Sequence, residues 1–121
     1  MPTTPTDKRI SKPWGFEVVW ARTQNYVGKV LSIRAGHRLS LQHHDRKEET
    51  LRVVSGSVRM VLENDAGVLI TYDMSPGDVR HVAPGRRHRI EAVTDAELVE
   101  VSTVELEDVV RHADDYGRQP V

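Results

Sequence analysis

Cysteine is absent from this 121-residue chain, which excludes disulfides and thiolate metal ligands, so any metal must be held by nitrogen and oxygen. Long apolar runs are missing too: no stretch approaches the ~20 residues that a membrane span needs, so a soluble, non-membrane class is expected. The opening Met-Pro-Thr-Thr-Pro-Thr lacks the apolar centre of a signal peptide, which favours a cytoplasmic location. Net charge is only −1 and supplies no field for non-specific nucleic-acid binding. Aromatics are scarce at 5%, so Trp14, Phe16 and Trp20 read first as core or subunit-contact residues, and second as a platform for a sugar ring.

What is present is a series of short β-like runs. Phe16–Trp20, Tyr26–Arg34, Leu39–His44, Glu49–Val54, Ser57–Glu63, Val68–Tyr72, Val79–Val82, His88–Ala92 and Glu97–Ser102 are separated by turn residues such as Ala35-Gly36, Ser55-Gly56 and Ser75-Pro76-Gly77-Asp78. This spacing predicts an all-β sandwich or jelly-roll barrel. Residues 1–9 carry no periodic apolar pattern and are expected to be a mobile leader, leaving 10–121 as one domain. Leu106, Val109 and Val110 fall at helical spacing, and Ser102 with Glu105 fits a capping box, so a short C-terminal helix is expected.

Side-chain parity then isolates a candidate metal site. Gln42 and His44 project to one face of an extended strand, and Glu49 shares its face with Leu51 and Val53. His88 likewise shares a face with Ile90 and Ala92. A carboxylate aimed at an apolar interior needs a partner, and a metal ion is the simplest one. A hydrogen-bonded polar pocket without metal is the alternative. Imidazole and carboxylate accept zinc, the first choice, and also Mn, Fe, Ni or Co. His43 and Asp45 face away by parity. His37 and His112 read as solvated, and His81 as a weak candidate behind the ligands.

These residues resemble the cupin superfamily, and within it the barrel domain of type II mannose-6-phosphate isomerases and their short relatives. The first cupin motif, G(x)5HxH(x)3-4E(x)6G, is met by Gly36, Gln42 in place of its first histidine, His44, Glu49 and Gly56; Gly77, Pro84-Gly85 and His88 meet the second more loosely. Lys12-Pro13-Trp14-Gly15-Phe16-Glu17 is similar to the family's opening, and Arg111 through Asp115-Tyr116-Gly117-Arg118 to its close. The chain departs from the pattern at Lys47, where the family has arginine, and at Ala92, where it has asparagine.

The resemblance implies a cupin jelly-roll (double-stranded β-helix) barrel and a homodimer. It also implies a divalent metal on Gln42, His44, Glu49 and His88, and aldose-ketose isomerisation of a sugar phosphate. Lys47 and Glu48 are the expected acid/base groups. Lys12, Arg111, Tyr116 and Arg118 are the expected substrate contacts, with the tail closing over the barrel mouth. For Arg87 and Arg89, opposite His88 in parity, a solvated surface is the expectation. Two other readings stay open: a metal-dependent dioxygenase or sugar epimerase, and a non-catalytic module that binds a sugar or carboxylate.

Overall fold

Alternation of inward and outward side chains builds two antiparallel sheets that face each other. The computed structural model describes residues 8–105 and 107–118. Its strands are β1 (Lys8–Lys12), β2 (Gly15–Arg22), β3 (Val27–Ile33), β4 (Leu41–His43), β5 (Glu49–Ser55), β6 (Val58–Glu63), β7 (Leu69–Met74), β8 (Val79–Val82), β9 (His88–Ala92), β10 (Ala96–Ser102) and β11 (Val110–Ala113). One sheet runs β1-β2-β3-β10-β5-β8, the other β11-β4-β9-β6-β7. From β3 onward every connection except β6 to β7 carries the chain from one sheet to the other, which is the jelly-roll path.

All nine expected runs become strands, with ends moved by at most two residues. Two expectations are corrected. The leader expected over residues 1–9 ends early: residues 1–7 lie outside the described residues, but Lys8 and Arg9 already pair with Val19 and Val18. The Arg9 guanidinium sits 3.6 Å from the Phe16 ring centroid, a contact that holds this edge in place. The expected C-terminal helix is absent among the described residues. Leu106 lies outside them, and Val110 and Arg111 pair with His43 and Gln42 instead. Ser102, the expected cap, is a strand residue opposite Val27 and Glu49. A short amphipathic pattern is a weak preference, and an open strand edge on β4 offers backbone partners that override it.

Inward positions divide into two layers. Toward one end lie Ile33, Val53, Val58, Met60, Met74, Ala92, Ala96 and Leu98, all buried and apolar. Toward the other end the same strands turn polar: Glu49 precedes Leu51 and Val53, His88 precedes Ile90 and Ala92, and Glu100 follows Ala96 and Leu98. Burying each large apolar side chain contributes about 1.5–3 kcal/mol, so the apolar layer carries the stability and leaves the polar layer free for chemistry. The β4–β5, β8–β9 and β10–β11 connections all lie at the polar end, because each enters or leaves its strand there.

Gly56 turns the chain between sheets at the apolar end, with φ at +82°. A Cβ there would lie 2.2 Å from the Asp95 carbonyl oxygen and 2.8 Å from the Ala96 Cα, both backbone atoms. Gly56→Ala therefore combines a left-handed conformation with a clash that no side-chain rotation relieves. Urea denaturation should show a loss of about 2 kcal/mol or more; a loss under about 0.5 kcal/mol would show that the corner relaxes freely.

Candidate functional site

Three side chains meet at the polar end. Glu49 opens β5, His88 opens β9, and His44 follows β4 directly, so three strand ends deliver them to one place. Their ligating atoms lie within 4.8 Å of one another, and all three residues are buried. Glu49 Oε1 is 3.4 Å from His44 Nε2 and 3.0 Å from His88 Nε2. Gln42 stands directly opposite His88 in the β4–β9 register and lines the same cavity, where its Oε1 accepts the Ser40 hydroxyl at 3.3 Å.

The far side of each imidazole determines what the near side can do. His44 Nδ1 lies 2.6 Å from the Asp108 carbonyl oxygen and His88 Nδ1 lies 2.9 Å from that of Arg86. A carbonyl only accepts, so Nδ1 carries a proton in both rings and Nε2 is the nitrogen left to face the cavity. Both Nε2 atoms thus converge on one carboxylate oxygen, where they donate to it if protonated and, if bare, offer it and themselves as a three-donor set for a cation. The backbone-held Nδ1–H is also how metal-bound histidines are usually oriented. These residues therefore fit a divalent ion held by nitrogen and oxygen.

Charge around the triad is tightly interlocked. Lys47 is buried with its Nζ 3.3 Å from Glu49 Oε2 and 3.0 Å from Glu100 Oε2. Burial works against its charge, but the two carboxylates prevail and hold the ammonium well above its usual range. Burial pushes Glu49 up, yet contacts from His44, His88 and Lys47 outweigh this and hold it well below the ordinary carboxylate range. Glu100, first through burial and then through repulsion from Glu49, is pushed up to about 7.

The expected site residues divide. Lys12, Lys47, Arg111 and Arg118 line the same cavity of about 130 Å³ as the triad. Glu48 does not belong there: it is exposed on the outer face, paired with His81. The parity that turns Glu49 inward turns its neighbour outward, and His81 pairs with Thr50 on that outer side. Lys47 is a poor base, since it is held as a cation. Tyr116 is also corrected, because its hydroxyl meets His37 Nδ1 at 3.0 Å and ties down the tail instead of lining the cavity. Arg89, expected on a solvated surface, is mostly buried beneath that tail, donating to the Leu39 carbonyl and lying 3.6 Å from Asp115. Trp14 is core, whereas Trp20 stays half exposed.

The profile of the family described as mannose-6-phosphate isomerase C-terminal matches residues 3–114. The chain belongs to this family. Among curated relatives, it is similar to the xanthan biosynthesis protein XanB of Xanthomonas campestris pv. campestris (strain B100), 31% identical over 116 residues, covering 92% of this chain and 24% of the relative. A mannose-1-phosphate guanylyltransferase of Escherichia coli (strain K12) is 28% identical over 116 residues, covering 92% of this chain and 23% of the relative. The chain thus spans about a quarter of the length of these relatives. Among solved structures, KdgF from Halomonas sp. superposes with a TM-score of 0.71 at 19% identity, over 80% of this chain and 86% of that one. Bacillus subtilis oxalate decarboxylase at pH 4.6 gives 0.75 at 19% identity, over 87% and 30%. A further structure of that decarboxylase, described with its Mn(II) centers, gives 0.68 at 20% identity, over 82% and 28%. The shared fold is the cupin jelly roll.

In this cupin domain the residues that position the triad lie outside the sequence motifs. Asp108 is the clearest case. Its carboxylate accepts the backbone N–H groups of Asp45, Arg46 and Lys47 at 2.7–3.0 Å, while its carbonyl orients His44. One residue from the β10–β11 connection thereby fixes the segment between two ligands. No local signal marks it, because its partners lie some sixty positions away. Lys29 and Glu100 were also missed by the sequence reading, although a signal exists: each shares inward parity with apolar neighbours, as Glu49 does.

His44→Ala or Glu49→Ala should abolish stoichiometric zinc binding, whereas Asp108→Ala should weaken it about 10-fold or more while the fold persists. Full occupancy of both ligand variants by elemental analysis would place the metal elsewhere. The tail yields a pH test. Asp114 accepts from the Arg118 side chain at 2.9 and 3.0 Å, and chiefly through this its carboxyl is lowered to about 2. Its value in an unfolded chain is about 3.9, so the stabilisation is complete above about pH 4 and is lost as pH falls toward about 2. The stability difference between wild type and Asp114→Asn should fall from on the order of 2 kcal/mol at pH 6 to near zero at pH 2. A difference independent of pH would remove the ion pair from the account.

Proposed function

We propose that this domain is a metal-dependent aldose-ketose isomerase acting on a sugar phosphate. The observation that carries the reading is the sharing of one cavity by the triad of His44, Glu49 and His88 and a guanidinium that, among the described residues, makes no ion pair. Lys12, Lys29, Lys47, Arg89 and Arg118 each lie within 4.0 Å of a carboxylate oxygen. Arg111, among the described residues, has no such partner, and its Nε is buried without a hydrogen bond. A half-buried guanidinium with an unpaired Nε favours an anionic ligand group, and its forked donors suit phosphate. The family match and the guanylyltransferase relative support a mannose phosphate as the first candidate.

His44, Glu49 and His88, with Gln42 as a fourth donor, would hold a divalent ion. When bound, such an ion supplies a Lewis acid to the carbonyl and hydroxyl oxygens of the sugar. Arg111, with Arg118 beside it, anchors the phosphate and so fixes the register of the sugar carbons. Lys47, kept cationic by two carboxylates, donates hydrogen bonds without accepting protons. A proton moving between adjacent carbons needs an acceptor inside the cavity, and Glu48 points away. Glu17 and Glu100 are the cavity-lining carboxylates outside the triad. The implied homodimer belongs to the same proposal, with the free edge of β1 as its pairing strand.

One observation favours a second reading, a binding module: every carboxylate and lysine in the cavity is already engaged in ion pairs. The zinc-loaded domain incubated with mannose 6-phosphate in deuterated water separates the two. Isomerisation through an enediol should place deuterium at C2, visible by NMR, and Glu49→Ala should abolish the labelling. Binding without label would make the domain a sensor or carrier.

A further inference from the structure

The inner face of the six-stranded sheet carries a row of charges that the metal site does not explain. Across β1, β2, β3, β10 and the entry to β5 the order is Lys12, Glu17, Lys29, Glu100, Lys47 and Glu49, alternating in sign at every step. Lys29 Nζ lies 3.4 Å from Glu17 Oε1, and Lys12 reaches that same oxygen at 4.0 Å. Lys29 stands opposite Glu100 in the β3–β10 register, and Lys47 links Glu100 to Glu49. Glu17, Lys29 and Glu100 are all more than nine-tenths buried, and all three line the cavity.

Stability does not account for such a row. Buried ion pairs are commonly no better than well-packed apolar residues of the same volume, and the neighbouring inward positions are apolar, Val27 and Leu31 on β3 and Leu98 on β10. The row also keeps acceptor capacity. Glu100 Oε2 has the Lys47 ammonium at 3.0 Å as its ion-pair partner and no further partner among the described residues. A carboxylate oxygen carries two lone pairs, so a single ammonium leaves room for a second donor from the cavity. A second anionic group cannot serve, because Glu17 and Glu100 would repel it. A hydroxyl can: it donates to a carboxylate and accepts from the neighbouring ammonium, and alternating acceptors and donors match hydroxyls on successive carbons.

We propose that Glu17, Lys29 and Glu100 form the specificity wall of this cavity, reading the hydroxyl array of the ligand while Arg111 holds its anionic end. The inference rests on the sugar-phosphate reading and adds the residues that discriminate one polyol from another. Ligand orientation follows: phosphate toward β11, and ring or chain hydroxyls against β2, β3 and β10. Stereochemical selectivity then resides in a sheet face that no motif marks.

Calorimetric titration of the zinc-loaded domain with mannose 6-phosphate, its mono-deoxy analogues and inorganic phosphate tests this. Glu100→Gln keeps the shape of the side chain and removes its charge, and Glu17→Gln is a second variant should the first disturb Lys47; unchanged zinc content and melting temperature certify both. Each should weaken mannose 6-phosphate by about 10-fold or more and inorganic phosphate by less than about 2-fold. The penalty for at least one deoxy analogue should also shrink in the variant, the signature of a direct contact. Equal weakening of both probes, or no weakening of either, overturns the wall and leaves the sugar-phosphate reading standing. Phosphate binding by wild type with no binding of any sugar phosphate overturns both.

Discussion

The structure turns on one buried carboxylate. Glu49 enters an interior where an isolated ion is costly, and its environment compensates on both oxygens: two imidazoles converge on Oε1 and the Lys47 ammonium on Oε2. Everything else at the polar end follows from holding those partners still. Backbone carbonyls fix both rings, the Asp108 carboxylate clamps the segment from His44 to Glu49, and the Gly85 N–H donates to the His44 carbonyl at 2.7 Å. Loosening any of these would leave lone pairs or charge without compensation in a low-dielectric space.

That concentration of charge is tolerable because the apolar layer beneath it is complete. Leu51, Ile90, Leu98 and Leu31 form the floor on which the polar residues rest, and below them Val53, Val58, Met60 and Met74 close the barrel. Stability and chemistry are thereby separated along the strand axis. Inward positions of a single strand serve both, depending only on how far along the strand they fall.

The C-terminal tail links the two sheets' functions. It supplies Arg111 to the cavity through β11, and the turn that follows is strapped to the barrel by Arg38 on Asp115 at 2.6 and 3.0 Å and by Tyr116 on His37. Arg89 lies under this strap and bonds to the Leu39 carbonyl. An anion site built this way depends on contacts between segments far apart in the chain, so anion binding and tail docking should be thermodynamically coupled.

Much was determined by the sequence alone. Period-two alternation calls for strands, and turn residues at regular intervals call for many short ones, so an all-β sandwich or jelly roll and the inward direction of Glu49 and His88 follow from local geometry. The same parity marks Lys29 and Glu100, residues whose neighbours are apolar but whose own charge points inward. Tertiary structure alone decided the rest. Whether Val110–Ala113 becomes helix or strand depends on the open edge of β4, and Asp108 gains its role only when the β10–β11 connection meets a loop some sixty residues earlier. Arg111 and Arg118 look equivalent in sequence, yet one is neutralised by Asp114 and the other, among the described residues, is not. Local patterns dictate which way a side chain points; only the closed barrel dictates what it meets there.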